Sequence, residues 1–308
     1  MSEPSSEPAL VPGLYLVATP IGNLEDITLR ALRTLRSVDR IACEDTRQTQ
    51  KLLNHFEIAK PTISLHEHNE RERTTELIED IRSGKSIAVV SDAGTPAISD
   101  PGHILTRAVL EAGLSIYPIP GANAAITALI ASGLNSTTFR FLGFLPEKTG
   151  ARRSYLESLA AESTSAHEDE KSAPATLIFY EAPHRILETL SDLESVWGAD
   201  LRIVVARELT KLHEEFLRGS VSEIRTELAA RDRIRGEITL LVEPAPRQSG
   251  SGEQPASLVE RLAALQSGGL SEKDALKQIA RETGQGKSDL YRELQREKAK
   301  TVNMTRRS

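Results

Sequence analysis

The 308-residue chain has one cysteine, Cys43, only 4% aromatic residues, and no apolar run near the ~20 residues that would span a bilayer. A lone cysteine excludes an intrachain disulfide framework and fits a reducing compartment. Within the strand-like stretch Arg40–Cys43 it reads as a small buried hydrophobe. With so few rings the cores have to be aliphatic, a bias that suits strands covered on both faces in α/β folds. Acidic residues outnumber basic ones, 44 to 38. The formal net charge of −6 argues against a global basic field for nucleic acid and leaves room only for a local patch. The opening MSEPSSEPALVPG lacks the apolar core of a signal peptide, so a cytoplasmic protein with no membrane partner is expected.

What is present is a steady alternation. After a Ser/Glu/Pro tail expected to be disordered (1–12), strand-like runs lie at Leu14–Ala18, Arg40–Cys43, Thr62–Leu65, Ile87–Val90 and Ile116–Ile119. Helical spacing falls between them at Leu29–Val38, Thr46–Phe56, Glu70–Arg82 and Ile104–Glu111. This rhythm predicts a largely parallel sheet with helices packed on it, over residues 13–122. A second α/β set is expected over 123–243. It opens with the helix Ala124–Ala131 and has strands at Phe139–Phe144, Thr176–Tyr180, Arg202–Ala206, Glu215–Arg218 and Glu237–Val242. The polar stretch Glu162–Pro174 reads as a surface-loop insertion and 244–255 as a low-complexity linker. Residues 256–300 read as a helical module with a helix-turn-helix outline. In it Ser271 and Asp274 resemble a capping box opening the helix Glu272–Glu282, and Ser288 can cap a second helix, Asp289–Lys298. From Ser271 to Ser308 there are ten Lys/Arg against six Asp/Glu, so the end of this acidic chain is locally basic.

The strongest local signal is SDAGTPAISDPG, Ser91–Gly102, directly after a buried strand, where open α/β sheets place ligands. A phosphate-binding loop would bring Lys or Arg; this one brings Asp92 and Asp100. Two carboxylates would repel a polyphosphate but tolerate a cationic or zwitterionic nucleoside, or accept hydrogen bonds from a ribose. Asp100-Pro101 also reads as a helix start, with Asp100 as N-cap. Three more small-residue loops follow the same habit: Thr19–Asn23, Pro120–Ala125 and Arg235–Thr239. Each alone is an ordinary turn; four in one chain suggest a built pocket.

Seven stretches in order resemble the tetrapyrrole methylase superfamily, and within it the members that methylate ribosomal RNA. They are VATPIGNL (17–24), CEDTR (43–47), SDAGTPAISDPG (91–102), IPGANAA (119–125), IFYEAPHR (178–185), ARELTK (206–211) and GEITLLVE (236–243). The resemblance implies two α/β domains with S-adenosyl-L-methionine in the cleft between them, in a homodimer. It also implies methyl transfer to the ribose 2′-oxygen of a cytidine in the decoding region of 16S rRNA in the small ribosomal subunit. Carried over by position, it implies cofactor contacts at Pro20, Asp92, Ala93, Gly94, Thr95, Ile98, Ser99, Asn123, Ala124 and Ala125. From the second half it adds Tyr180, Leu209, Gly236, Glu237, Ile238 and Thr239.

The chemistry needs the hydroxyl oxygen held in line with the S–CH₃ bond, at roughly 3–3.5 Å, and help with its proton. His66, Glu208 and Lys211, at or just past strand ends, are the candidate catalytic groups, with Glu67 a further candidate. Glu44, Arg47, Asn69, Arg185 and Arg207 are candidate RNA contacts, arginines being natural phosphate partners. Asp45 could instead cap the helix near Thr46. His66 and His68, two apart in a strand, would share a face, but no further ligands accompany them and no metal site is expected. Two alternatives stay open from the residues: a methyltransferase acting on a tetrapyrrole ring, and a non-enzymatic RNA-binding protein.

Overall fold

A computed structural model describes residues 10–165 and 174–244, together with isolated positions between 262 and 279. Expectations for the extreme N-terminus, most of 162–174, the linker and the helix Asp289–Lys298 lie outside the described residues.

The first half is built as the aliphatic runs demand. Strands β1 (Gly13–Val17), β2 (Arg40–Cys43), β3 (Thr62–Ser64), β4 (Ser86–Val90) and β5 (Ile116–Ile119) form one sheet. Their order is β3-β2-β4-β1-β5 and every pairing is parallel. β4 is buried along its whole length. Helices α1 (Leu29–Ser37), α2 (Thr46–His55), α3 (Glu70–Arg82) and α4 (His103–Glu111) connect the strands. One core places Leu35, Ile41 and Val90 together and the other Leu77, Ile87 and Leu105, as expected of a sheet covered on both faces.

The second half differs. After α5 (Ala124–Ser132), β6 (Phe139–Phe144) pairs parallel with β7 (Thr176–Glu181). β8 (Arg202–Arg207), β9 (Glu215–Ser220) and β10 (Ile238–Glu243) then pair antiparallel, giving the order β6-β7-β10-β8-β9. Helices α6 (Thr149–Ser165), α7 (Ile186–Trp197) and α8 (Val221–Ala229) flank this sheet. α8 opens with a reciprocal capping box between Ser220 and Glu223. α6 runs on through Ser165, so the polar stretch from Glu162 begins as helix and not as loop; Glu162 is held there by Arg140 at 2.7 Å.

The residues near the C-terminus form a separate compact unit from Arg247 onward. Among its described residues Leu262, Ala275 and Ile279 are buried together, and the Asp274 amide donates to Ser271 Oγ at 3.2 Å, as expected of a cap. Among the described residues no helix is long and apolar enough to cross a membrane.

Candidate functional site

The loops at the carboxyl ends of the first sheet are stitched to one another. Thr19, after β1, and Gly94, after β4, exchange backbone hydrogen bonds of 2.8 and 3.1 Å. Thr19 Oγ1 donates to the Ser91 carbonyl at 3.1 Å, and Ser91 Oγ donates to the Gly94 carbonyl at 3.1 Å. Asn123 caps α5 by accepting from the Ile126 amide, and its own amide reaches Thr95 Oγ1 at 3.3 Å. Thr95 in turn donates to the Ala122 carbonyl. Three loops distant in sequence thus behave as one surface.

That surface forms one wall of a cavity of ≈ 390 Å³. The opposite wall comes from the second sheet: Phe144 at the end of β6, Tyr180 to Pro183 at the end of β7, and Glu237 to Thr239 entering β10. Tyr180 packs edge-on against Phe141 and Phe144, with ring centres 4.9 and 5.7 Å apart. Of the expected cofactor residues, the cavity gathers Asp92, Ala93, Gly94, Thr95, Ile98, Ser99, Asn123, Ala124, Tyr180, Glu237, Ile238 and Thr239. Ala125 and Leu209 are buried in the hydrophobic cluster behind the cavity. Gly236 does not line it either; its positive φ and the absence of a side chain make room for Glu208. Pro20 lies in a neighbouring cavity of ≈ 440 Å³. That second space shares Ile21, Asp92, Ala93 and Glu237 with the first, and adds Gln48, Lys51 and Leu52 from α2 and Lys211 after β8.

Among the described residues no Lys, Arg or His lines the first cavity, while Asp92, Asp100, Glu181 and Glu237 do. A polyphosphate would be repelled, whereas a nucleoside bearing a sulfonium and an ammonium meets carboxylates, an aromatic wall and backbone edges. The residues present fit S-adenosylmethionine.

Burial and mutual repulsion set the acids on the first wall apart. Asp100 is pushed up to about 7, first by burial and then by Glu44 and Asp92, with Glu44 also hydrogen-bonded to it. Partial desolvation likewise raises Glu44 and Asp92, although both residues keep substantial contact with solvent. The N-cap role expected for Asp100 is not seen. α4 begins two residues later than Pro101, with Gly102 as its cap residue. The orphan amides of Gly102, Ile104 and Leu105 all donate to Glu70 Oε1, at 2.9, 3.0 and 3.1 Å. A buried glutamate from α3 does the capping, and Asp100 faces the cavity.

Of the three candidate catalytic residues, Glu208 and Lys211 come together and His66 stands apart. Lys211 Nζ donates to Glu208 Oε1 at 2.8 Å and to Glu237 Oε2 at 3.0 Å, and Glu208 Oε1 also accepts from the Glu237 amide. Lys211 and Glu208 therefore brace the loop entering β10. His66 lines neither of the two cavities and instead lies beside Glu44, whose carboxylate it favours. Its Nδ1 is buried with no hydrogen-bond partner. β3 ends at Ser64, so His66 and His68 are in a turn and the shared-face argument does not apply. Among the described residues no group of three or more His, Cys, Asp or Glu could hold a metal.

The candidate RNA contacts divide as well. Glu44 and Arg47 are exposed, Asp45 between them capping α2 through the Arg47 amide at 2.7 Å. Asn69 instead holds the turn before α3, accepting from the His66 amide and donating to Ser64. Arg185 donates to the Leu145 and Pro146 carbonyls and pairs with Glu181. Arg207 is engaged by Glu215 and the Arg235 carbonyl. Both arginines thus make contacts within the fold, although Arg185 Nε, 3.3 Å from Glu181, makes no hydrogen bond. Sequence reasoning missed Ile21, Phe144, Glu181, Ala182 and Pro183, although the last three lie within the IFYEAPHR stretch.

A family model described as Tetrapyrrole (Corrin/Porphyrin) Methylases matches residues 13–225. The chain belongs to the tetrapyrrole methylase family. This methylase is 48% identical over 290 residues to a Halalkalibacterium halodurans protein named Ribosomal RNA small subunit methyltransferase I, covering 90% of this chain and 93% of that one. A Bacillus subtilis protein of the same name is 45% identical over 282 residues, covering 90% and 92%. Among solved structures, a uroporphyrin-III-C-methyltransferase from Thermus thermophilus superimposes with a TM-score of 0.51 at 18% identity, covering 76% of this chain and 96% of that one. Another from that organism, complexed with S-adenyl homocysteine, gives 0.51 at 14%, covering 74% and 96%. At such identities these two establish the fold alone. The methylase is an S-adenosylmethionine-dependent methyltransferase, and the cavity between its two sheets is where the lining suits that cofactor.

Proposed function

We propose that this methylase transfers the methyl group of S-adenosylmethionine to the ribose 2′-oxygen of a cytidine in the decoding region of 16S rRNA, acting in the cytoplasm as a homodimer on the small ribosomal subunit. The observation that carries the reading is the near full-length match to relatives named for ribosomal RNA small-subunit methylation. The second cavity supports it: at ≈ 440 Å³ it adjoins the cofactor space and is of a size to admit a nucleotide turned out of its strand. Lys51 gives that space a cation the first one lacks, which suits a phosphate-bearing acceptor, while Lys211 lines it already paired with Glu208 and Glu237.

In this reading the first wall holds the cofactor. Glu208 positions Lys211 and the β10 loop, and Glu44 and Arg47 stand at the rim. Transfer of labelled methyl from S-adenosylmethionine to 30S subunits, followed by mapping of the modified nucleotide, tests it. A labelled cytidine ribose is the expected result; label on a base, on 23S rRNA or on a tetrapyrrole instead would overturn it. Sedimentation of the purified protein at twice the monomer mass is expected for the dimer.

A further inference from the structure

We propose that the outward face of α1 and α2 is the track along which the RNA backbone runs into the second cavity. The inference deepens the ribosomal-RNA reading and rests on it.

The two helices stand apart by what they lack. α1 carries Arg30, Arg33 and Arg36, and α2 carries Arg47 and Lys51; neither helix contains an Asp or Glu. All five cations are exposed. Helices α3, α4, α6 and α8 instead mix acids among their arginines. There Arg73, Arg107, Arg152 and Arg225 are all in ion pairs. Among the described residues none of the five cations on α1 and α2 has a carboxylate partner.

The acids that flank these helices do not neutralise them. Asp39 accepts from the Ser86 amide and hydroxyl at 2.7 and 2.8 Å, and Asp45 accepts from the Arg47 amide as the cap of α2. Glu25, Asp26, Glu44 and Glu57 are exposed outside the helices and form no ion pair with the five. An ordinary solvated face intersperses both signs. A stripe of one sign, in a chain of net charge −6, is the electrostatic footprint of a polyanion. The same stripe would repel a second copy of itself across a two-fold axis, which disfavours it as a subunit interface.

The face is continuous with the second cavity. α1 and α2 bury Ala31, Leu35 and Leu53 in one core, and Arg36 Nη2 joins the end of α1 to the end of α2 by donating to the Phe56 carbonyl at 3.2 Å. Arg30, Arg33 and Arg36 recur every three residues, and Arg47 and Lys51 are four apart, spacings that make neighbours on a helix surface. Lys51 marks the boundary between face and cavity. Its Nζ donates to Gln48 Oε1 at 2.8 Å, and both residues line the second cavity with Leu52. Leu24, just ahead of α1, lines it too. A strand whose acceptor nucleotide is turned into that space leaves its flanking phosphates outside, and the helices beside it offer unpaired cations to receive them. Such contacts grip and orient the strand without reading its sequence.

The test uses the full chain with S-adenosylhomocysteine bound, and measures binding to 30S subunits and to naked 16S rRNA across a salt series. The triple variant Arg33→Gln, Arg47→Gln, Lys51→Gln removes three charges that make no ion pair, and should keep its fold and its dimer. It should bind RNA about tenfold or more weakly, with a log–log salt slope shallower by about 2. Each single variant should take about 1 from that slope. Methyl transfer by the triple variant should slow at limiting 30S and recover at saturating 30S, with S-adenosylmethionine affinity by calorimetry unchanged. Arg82→Gln, at an exposed and unpaired arginine ending α3, is the control and should leave affinity and slope as they are. Unchanged affinity and slope in the triple variant, beside a wild type that binds, would overturn the track and leave the ribosomal reading standing. A wild type that binds neither 30S nor 16S rRNA would overturn both. An equal loss in Arg82→Gln would reduce the effect to net charge, and loss of the dimer in step with RNA binding would make the face a subunit interface; either result overturns the proposal.

Discussion

The carboxylates on and beside the first wall of the cofactor cavity and those that buttress the second sheet are treated in opposite ways. On the first sheet's side, Glu44, Asp92 and Asp100 crowd one another without a lysine or arginine, and all three are raised. In the second half, Glu208 is lowered by Lys211, and Glu215 is held at about 2 by Arg231 and Arg207. Arg152 and Asp192 are buried as an ion pair at 2.7 Å. One side stores unneutralised charge that a cationic ligand can answer; the other neutralises its own and serves as a rigid backstop.

The sharpest way to break the contrast is to remove a partner on the paired side. Arg152→Ala leaves the Asp192 carboxylate buried, 3% exposed, with Arg153 as its remaining ion-pair partner. Chemical denaturation should show a loss of about 3–5 kcal/mol; a loss under 1 kcal/mol would mean the pair contributes little. Next is the cap on the unpaired side. Glu70→Ala strands three amides at the head of α4 and should cost about 1–3 kcal/mol, with weaker S-adenosylmethionine binding because the Ser91–Gly102 loop leads into that helix.

Smaller, and opposite in sign, are two pH signatures. A raised carboxyl binds its proton more tightly in the folded state, so its contribution is fullest below the ordinary aspartate range and is lost as pH rises toward 7. Asp100→Asn should therefore raise Tm above pH 7, by about 2–4 °C, with the gain fading toward pH 4. For Glu215 the sign reverses. Its stabilisation is present above the ordinary glutamate range and is lost as pH falls through about 2. Glu215→Gln should lower Tm at pH 7 and differ progressively less as the solution is acidified. Parallel pH profiles for the two variants would erase the distinction between the cavity acids and those that buttress the second sheet.

Much of this arrangement is legible in the sequence, for a physical reason. Fully buried strands such as Ser86–Val90 must be continuous aliphatic runs, and small residues after them mark loops where a ligand meets backbone. What could not be read depends on groups brought together by folding. Asp100-Pro101 carries a genuine local helix-start signal, yet Glu70, some thirty residues earlier, outcompetes it with one carboxylate oxygen for three amides. Arg185 and Arg207 read as phosphate ligands in the sequence, and only the fold shows that each also donates internally, to the Leu145 carbonyl and to Glu215. Nor does anything within Ile238–Glu243 announce that it pairs antiparallel on both sides, since an aliphatic strand has the same composition in either direction.

That last strand has a consequence for how the molecule is made. β10 occupies the middle of the second sheet, between β7 and β8, although it leaves the ribosome after every other strand. The first sheet has all its strands once Ile119 has emerged, but the second has a gap at its centre until Glu243 does. Nascent chains stalled between those two points should hold one folded half and one half open along its interior, exposed to chaperones and proteases. Since β10 also carries Ile238 and Thr239 of the cavity lining, the chain becomes able to grip its cofactor only as its second sheet closes.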